Sequence, residues 1–136
     1  MDSIISAVKN QYKHYQDNKV ISRENFKEIH KFEKRVEDSC RIMEKYPDRV
    51  PIICERLTRK AHEIDRKKYL CPKDLTMGNF MYVIRKRLHL TEDKALYLFV
   101  GNSIIPVSKD LGTIYEEKKD KDGFLYIRYD SESTFG

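Results

Sequence analysis

The residues able to do chemistry are few and scattered. His14, His30, His62 and His89 are not spaced as metal ligands with Cys40, Cys54 and Cys71 or with the carboxylates. The three cysteines are odd in number and contain no CxxC, which argues against a disulfide framework or a zinc centre. Each is expected to fill a small apolar space in a protein from a reducing compartment. No nucleophile motif and no phosphate-cradling glycine loop occurs, so neither catalysis nor a cofactor is expected. The terminal pair Phe135-Gly136 is of a different kind. Glycine there has no side chain to obstruct attack at its carbonyl, but a terminal glycine is a weak signal by itself.

Charge adds a second chemistry. The net charge is +5, and Arg49, Arg66, Lys67, Lys68, Arg85, Lys86 and Arg87 are candidates for a basic surface. Such a surface favours acidic peptides, an anionic membrane or nucleic acid, and a solvated face is the plain alternative. The aromatic residues follow core periodicity, and no RNA-binding string or zinc-finger spacing accompanies the charge. No specific nucleic acid is therefore expected, and a basic nucleic-acid-binding domain is the weaker reading.

The elements that must carry these residues are legible in the apolar pattern. The mean hydropathy of −0.71 would also suit disorder, but glycine and proline are few and periodicity runs through most of the 136 residues. Residues 2–17 read as an amphipathic helix capped by Asp2 or Ser3, with Ile4, Ile5, Val8, Tyr12 and Tyr15 near one face. Ser22 can cap a short second helix containing Phe26 and Ile29. A third helix over 32–45 carries Phe32, Val36, Cys40 and Met43 as one buried stripe and ends at Tyr46-Pro47.

Val50–Glu55 reads as a strand, with Pro51 confined to its start or to a position with its nitrogen off the ladder. Residues 56–66 read as a polar connecting loop, and 67–71 as a second strand. Thr76 caps a helix over 77–88 whose last turns hold Arg85, Lys86 and Arg87, where the helix dipole favours cations. The apolar run 96–100 predicts a central strand buried on both faces. Ser108 or Asp110 caps a short helix to about 118, a turn spans 120–123, 124–129 is the last strand and 131–136 a polar tail. No leader is expected from the first 11 residues, and the longest apolar run is far below the ~20 residues that span a bilayer. The order predicts an α+β chain, a ubiquitin-like β-grasp with N-terminal helices. Residues 1–22 are expected to form an additional helical extension and 23–136 the ubiquitin-like domain, ending in the tail 131–136.

Specific strings then carry a resemblance. HKFEKR (30–35), EKYPDRVPIICER (44–56), KKYLCPKDLT (67–76), IRKRLHL (84–90), ALYLFV (95–100), DGFLYIRY (122–129) and SESTFG (131–136) resemble the autophagy ubiquitin-like modifiers, collinearly over about residues 24–136. The look-alikes are the gamma-aminobutyric-acid-receptor-associated and microtubule-associated light-chain proteins. The resemblance implies that activating and conjugating enzymes join Gly136 to phosphatidylethanolamine on autophagosomal membranes and that a cysteine protease reverses the attachment. It implies a cytoplasmic protein with a lipid-attached pool, whose partners are autophagy receptors and adaptors bearing aromatic-x-x-aliphatic motifs. The same fold without conjugation, a plain peptide-binding adaptor, is the alternative.

By position, the resemblance assigns Asp38, Ile42, Pro51, Ile53, Lys68, Leu70 and Phe124 to a pocket for the aromatic anchor. It assigns Tyr69, Cys71, Pro72, Leu75, Phe80 and Val83 to a pocket for the aliphatic one. Strand alternation fits that split, since Lys68 and Leu70 point opposite to Tyr69 and Cys71. Burying each anchor contributes about 1.5–3 kcal/mol, and ordering the peptide offsets much of it, so micromolar affinity is expected. Ile53, Leu75 and Val83 also fit a plain core role. Lys31 replaces a common proline of the family, Asp38 a longer glutamate, and Cys71 and Val83 are smaller than some family choices, all of which bears on selectivity.

Overall fold

The computed structural model describes residues 25–132, so the helix expected over 2–17, the Ser22 cap, Phe135 and Gly136 lie outside the described residues. The elements run α1 (Phe26–Ile29), α2 (Phe32–Lys45), β1 (Arg49–Arg56), β2 (Lys68–Pro72), α3 (Met77–Arg87), β3 (Ala95–Val100), β4 (Ser103–Ile104), α4 (Leu111–Lys118) and β5 (Leu125–Glu132). The sheet order is β2-β1-β5-β3-β4. β1 pairs antiparallel with β2 and parallel with β5, and β3 pairs antiparallel with both β5 and β4.

Two apolar layers result. Val50, Ile52 and Cys54 of β1 join Leu96, Leu98, Leu125 and Ile127 under Met77, Phe80 and Ile84 of α3 and Leu111 and Ile114 of α4. The opposite face of the sheet carries a smaller cluster of Phe26, Ile53 and Phe124, with Ile42 and Tyr126 against it. β1 is consequently the strand buried on both faces. Burial pushes the Cys54 thiol far up and the Cys71 thiol to about 11, so both behave as core residues.

Caps fix the helix ends. Asn25 accepts the Lys27 N–H at the start of α1. Thr76 and Asn79 form a reciprocal capping box on α3, and Asp110 accepts the Thr113 N–H of α4. α3 ends with His89 at φ 56°, where the Leu90 N–H reaches the Arg85 carbonyl, a Schellman closure made with histidine rather than glycine.

Several expectations are corrected. The buried face of α2 is Arg35 and Ser39, not the stripe of Phe32, Val36, Cys40 and Met43; Phe32 is 45% exposed and Cys40 is exposed. The reason is a polar anchor. The Arg35 guanidinium donates to Asp122 Oδ2 at 2.8 Å and to the carbonyls of Lys27 and His30, which turns the helix by about one position. β3 is not central and alternates, with Tyr97 turned outward, so its apolar run marks two unlike faces rather than two buried ones. The 56–66 loop is not merely polar: Ala61 and Ile64 are buried, and the Tyr129 hydroxyl donates to the His62 carbonyl. Ser131 and Glu132 belong to β5 rather than to a tail, pairing with Leu96 and Ala95. The two-residue β4 had no sequence signal strong enough to predict.

The Asp122 site closes the helical layer onto the sheet. Its carboxylate also accepts the Tyr126 hydroxyl at 2.5 Å and the Phe124 N–H at 2.9 Å, and its carbonyl accepts the Ser39 hydroxyl at 2.5 Å. Gly123 follows at φ 93°, and a Cβ there would lie 2.3 Å from Ser39 Oγ. Asp122→Ala is expected to lower the unfolding free energy by about 3–5 kcal/mol, because it strands a buried guanidinium. Arg35→Met is expected to cost less, since the carboxylate keeps its Tyr126 and Phe124 donors. Urea unfolding followed by circular dichroism checks the order.

Candidate peptide groove and conjugation tail

β2 is an edge strand: among the described residues no strand pairs with its outer side. Its N–H and C=O groups there are a template for an added strand. The register sets what lies on either face. Leu70 opposite Pro51 and Lys68 opposite Ile53 face the helical layer, whereas Tyr69 opposite Ile52 and Cys71 opposite Val50 face α3.

On the helical side the structure brings together Asp38, Ile42, Ile53, Lys68 and Phe124. Ile53 and Phe124 are fully buried floor, with Ile42 packed against them. Lys68 lies across the opening. Its ammonium is 3.7 Å from Asp38 Oδ2, 5.6 Å from the Phe26 ring centre and 5.8 Å from that of Phe124. Phe26 and His30 were missed as site residues. Their ring centres lie 4.5 Å apart with the planes tilted by 45°, and burial together with Lys68, Arg35 and Lys34 lowers the His30 pKa, against a smaller opposite pull from Asp38. The only sequence signal for them was position: His30 opens the HKFEKR string and Phe26 lies one turn ahead of it.

On the other side, Tyr69 meets Phe80 edge-on at 5.5 Å, Cys71 and Phe80 are buried, and Leu75 packs partly against them. Val83 and Pro72 are exposed at the rim. The Tyr69 hydroxyl is buried with no hydrogen-bond partner among the described residues, and burial raises its pKa.

The basic residues do not form one patch. Arg87 pairs with Asp65 through two contacts of 3.3 Å, and Lys67 lies 3.5 Å from Glu63, which gathers both around the β1–β2 loop next to Arg66. Arg49 stands at the other end of the hairpin, opposite Pro72, near the Tyr46 ring. Arg85 is structural, donating to the carbonyls of Thr91 and Lys94, and Lys86 lies over Tyr82.

A mixed sheet with its first hairpin at one edge, a helix packed across it and a parallel last strand beside β1 defines a ubiquitin-like protein with a grooved edge. The family model for the autophagy protein Atg8, ubiquitin-like, matches residues 34–136. Autophagy-related protein 8 of Schizosaccharomyces pombe is 52% identical over 115 residues, covering 84% of this chain and 95% of that protein. Autophagy-related protein 8d of Arabidopsis thaliana is 52% identical over 113 residues, covering 82% and 94%. The crystal structure of Trypanosoma brucei ATG8 superposes with a TM-score of 0.76 at 43% identity, covering 82% of this chain and 97% of that one. The chain belongs to the Atg8 family of ubiquitin-like autophagy proteins.

The orphan hydroxyl gives a direct test of the groove wall. Tyr69→Phe keeps the ring against Phe80 and removes a buried unsatisfied group, so unfolding free energy is expected to rise by on the order of 1 kcal/mol. Thermal unfolding of the variant beside the native chain measures it.

Proposed function

We propose that this chain is a modifier joined through Gly136 to phosphatidylethanolamine, and that its β2 edge then recruits receptors and adaptors bearing aromatic-x-x-aliphatic motifs. The observation that carries the reading is the unpaired edge of β2 with an apolar recess on each face. A peptide strand added there places alternate side chains on opposite faces, so its aromatic anchor meets the Phe26–Ile53–Phe124 side and its aliphatic anchor the Tyr69–Phe80 side. Lys68 has to move aside for the aromatic ring. Its pair with Asp38 is partly exposed and therefore weak, which makes that movement inexpensive. Once displaced, the ammonium can meet acidic residues flanking the motif.

Support for conjugation is of another kind. The family match runs to residue 136, and the Phe135-Gly136 ending leaves an unobstructed carbonyl. Gly136 is thus the donor of an acyl group, passed through thioesters on activating and conjugating enzymes to the lipid amine and released by a cysteine protease. A cytoplasmic pool and a lipid-attached pool follow. The division into an extension, 1–22, and a modifier domain, 23–136, belongs to the same reading.

Two measurements check it. With cognate activating and conjugating enzymes, ATP and phosphatidylethanolamine liposomes, the native chain is expected to gain a lipid-sized mass and float with the liposomes, while Gly136→Ala does neither. An unmodified native chain, with enzymes active on another family member, would leave a peptide-binding adaptor. In titration calorimetry, a peptide with a Trp-x-x-Leu core and acidic flank is expected to bind with micromolar affinity. Lys68→Glu is expected to weaken it about tenfold, the loss of one charge-assisted contact.

A further inference from the structure

β1 carries a carboxylate that its surroundings leave half satisfied. Glu55 shares with Ile53 the face of β1 that looks toward α1 and α2, and it is 8% exposed. Its Oε2 accepts the Phe26 N–H at 2.6 Å, and its Oε1 has no hydrogen-bond partner among the described residues. Burial raises its pKa, against the pull of that N–H and of Lys67, Arg128 and Lys27. Tying α1 to β1 needs only one oxygen. The other belongs to a charge withdrawn from water, which is costly while an acceptor site stays open.

The register sets a guanidinium beside it. Arg128 is the partner of Glu55 across the parallel β1–β5 ladder, one strand spacing of ~4.8 Å away and on the same face. No hydrogen bond or ion pair joins the two among the described residues. Both line a cavity of 310 Å³, a size suited to a small ligand. Lys118, the last residue of α4, lines it too, and neither Lys118 nor Arg128 has an ion-pair partner among the described residues. Lys27 and Asp120 complete the wall but hold each other at 2.6 Å, with Lys27 Nζ 4.6 Å from the Tyr126 ring centre. That pair is neutral. What the cavity offers a ligand is one buried acceptor and two cations.

We infer that this cavity binds a small acidic amino acid, whose ammonium meets Glu55 Oε1 and whose two carboxylates meet Arg128 and Lys118. An amino dicarboxylate carries one positive and two negative charges, the complement of the groups present. Selectivity follows from burial. Glu55 is already desolvated in the free protein, so a ligand without an ammonium leaves it stranded and gains only the two cations. None of these residues belongs to the β2 groove, and the site stands whether or not Gly136 is conjugated.

The test titrates the full ¹⁵N-labelled chain with L-glutamate or N-acetyl-L-glutamate at constant ionic strength and follows the amide shifts. L-Glutamate is expected to move Glu55, Gly101 and Arg128 saturably while Leu70 and Lys73 stay in place. It is expected to bind at least about tenfold more tightly than N-acetyl-L-glutamate, which has no ammonium. Glu55→Gln keeps an oxygen for the Phe26 N–H and is expected to abolish that preference. Unchanged shifts in β2 and α3 would show that this variant is folded. Lys118→Ala, at an exposed position, is expected to weaken both ligands about fivefold. Equal affinity for the two compounds would overturn the inference and leave a plain anion site. So would the absence of saturation by L-glutamate, a preference that survives Glu55→Gln, or affinities untouched by Lys118→Ala.

Discussion

The fold turns on the buried pair of Arg35 and Asp122. Two charges withdrawn from water are costly unless their remaining donors and acceptors are met, and here three of the guanidinium's N–H groups and both carboxylate oxygens are. The guanidinium reaches Asp122 and the carbonyls of Lys27 and His30; the carboxylate also takes Tyr126 and Phe124. One set of bonds thereby joins α1, α2, the turn before β5 and β5 itself. Such a pair contributes little net stability against an apolar replacement, and its effect is to admit one arrangement of helices on sheet. Gly123 belongs to the same constraint: its positive φ and missing side chain let Ser39 reach the Asp122 carbonyl.

That arrangement decides what β2 can offer. α2 sits over Ile53 and Phe124 without covering the outer edge, so Lys68, rather than a helix, fills the opening. On the other face Phe80 is fixed by the main core, and Tyr69 leans on it. A single strand therefore has an apolar wall on each face because β1 behind it is buried on both. The groove is a consequence of the two-layer core reaching the end of the sheet.

Much of this was legible in advance. Thr76 and Asp110 announced their helices, Pro47 ended α2, and the collinear strings pointed to the ubiquitin-like plan. What stayed hidden was polar burial. Arg35 and Ser39 look like surface residues in a charged helix, and only Asp122, 87 positions away from Arg35, makes them core. The α2 stripe was misplaced for that reason, and Cys40 with it. Phe99 and Tyr97 misled in the opposite sense, because aromatic residues on an outward face imitate a doubly buried strand. The β1–β2 loop hid its anchors, Ala61 and Ile64, among charges. Phe26 and His30 reach the groove through tertiary packing alone, which no spacing expresses.

β5 connects the two ends of the proposed activity. Its N-terminal end is held by the Asp122 turn, and eight residues on, about 26 Å away, it delivers the chain toward Gly136. It runs parallel to β1, so it leaves the sheet at the Arg56 end of that strand, beside the Leu57 N–H that bonds to the Tyr129 carbonyl. The β2 edge lies two strands away, roughly 10 Å across the sheet. Tethering at Gly136 thus draws on the central strand and leaves the edge strand unpaired. The strand that leads to the tail is stiff because it is bonded on both sides, and the strand proposed to take the peptide is open because it is bonded on one.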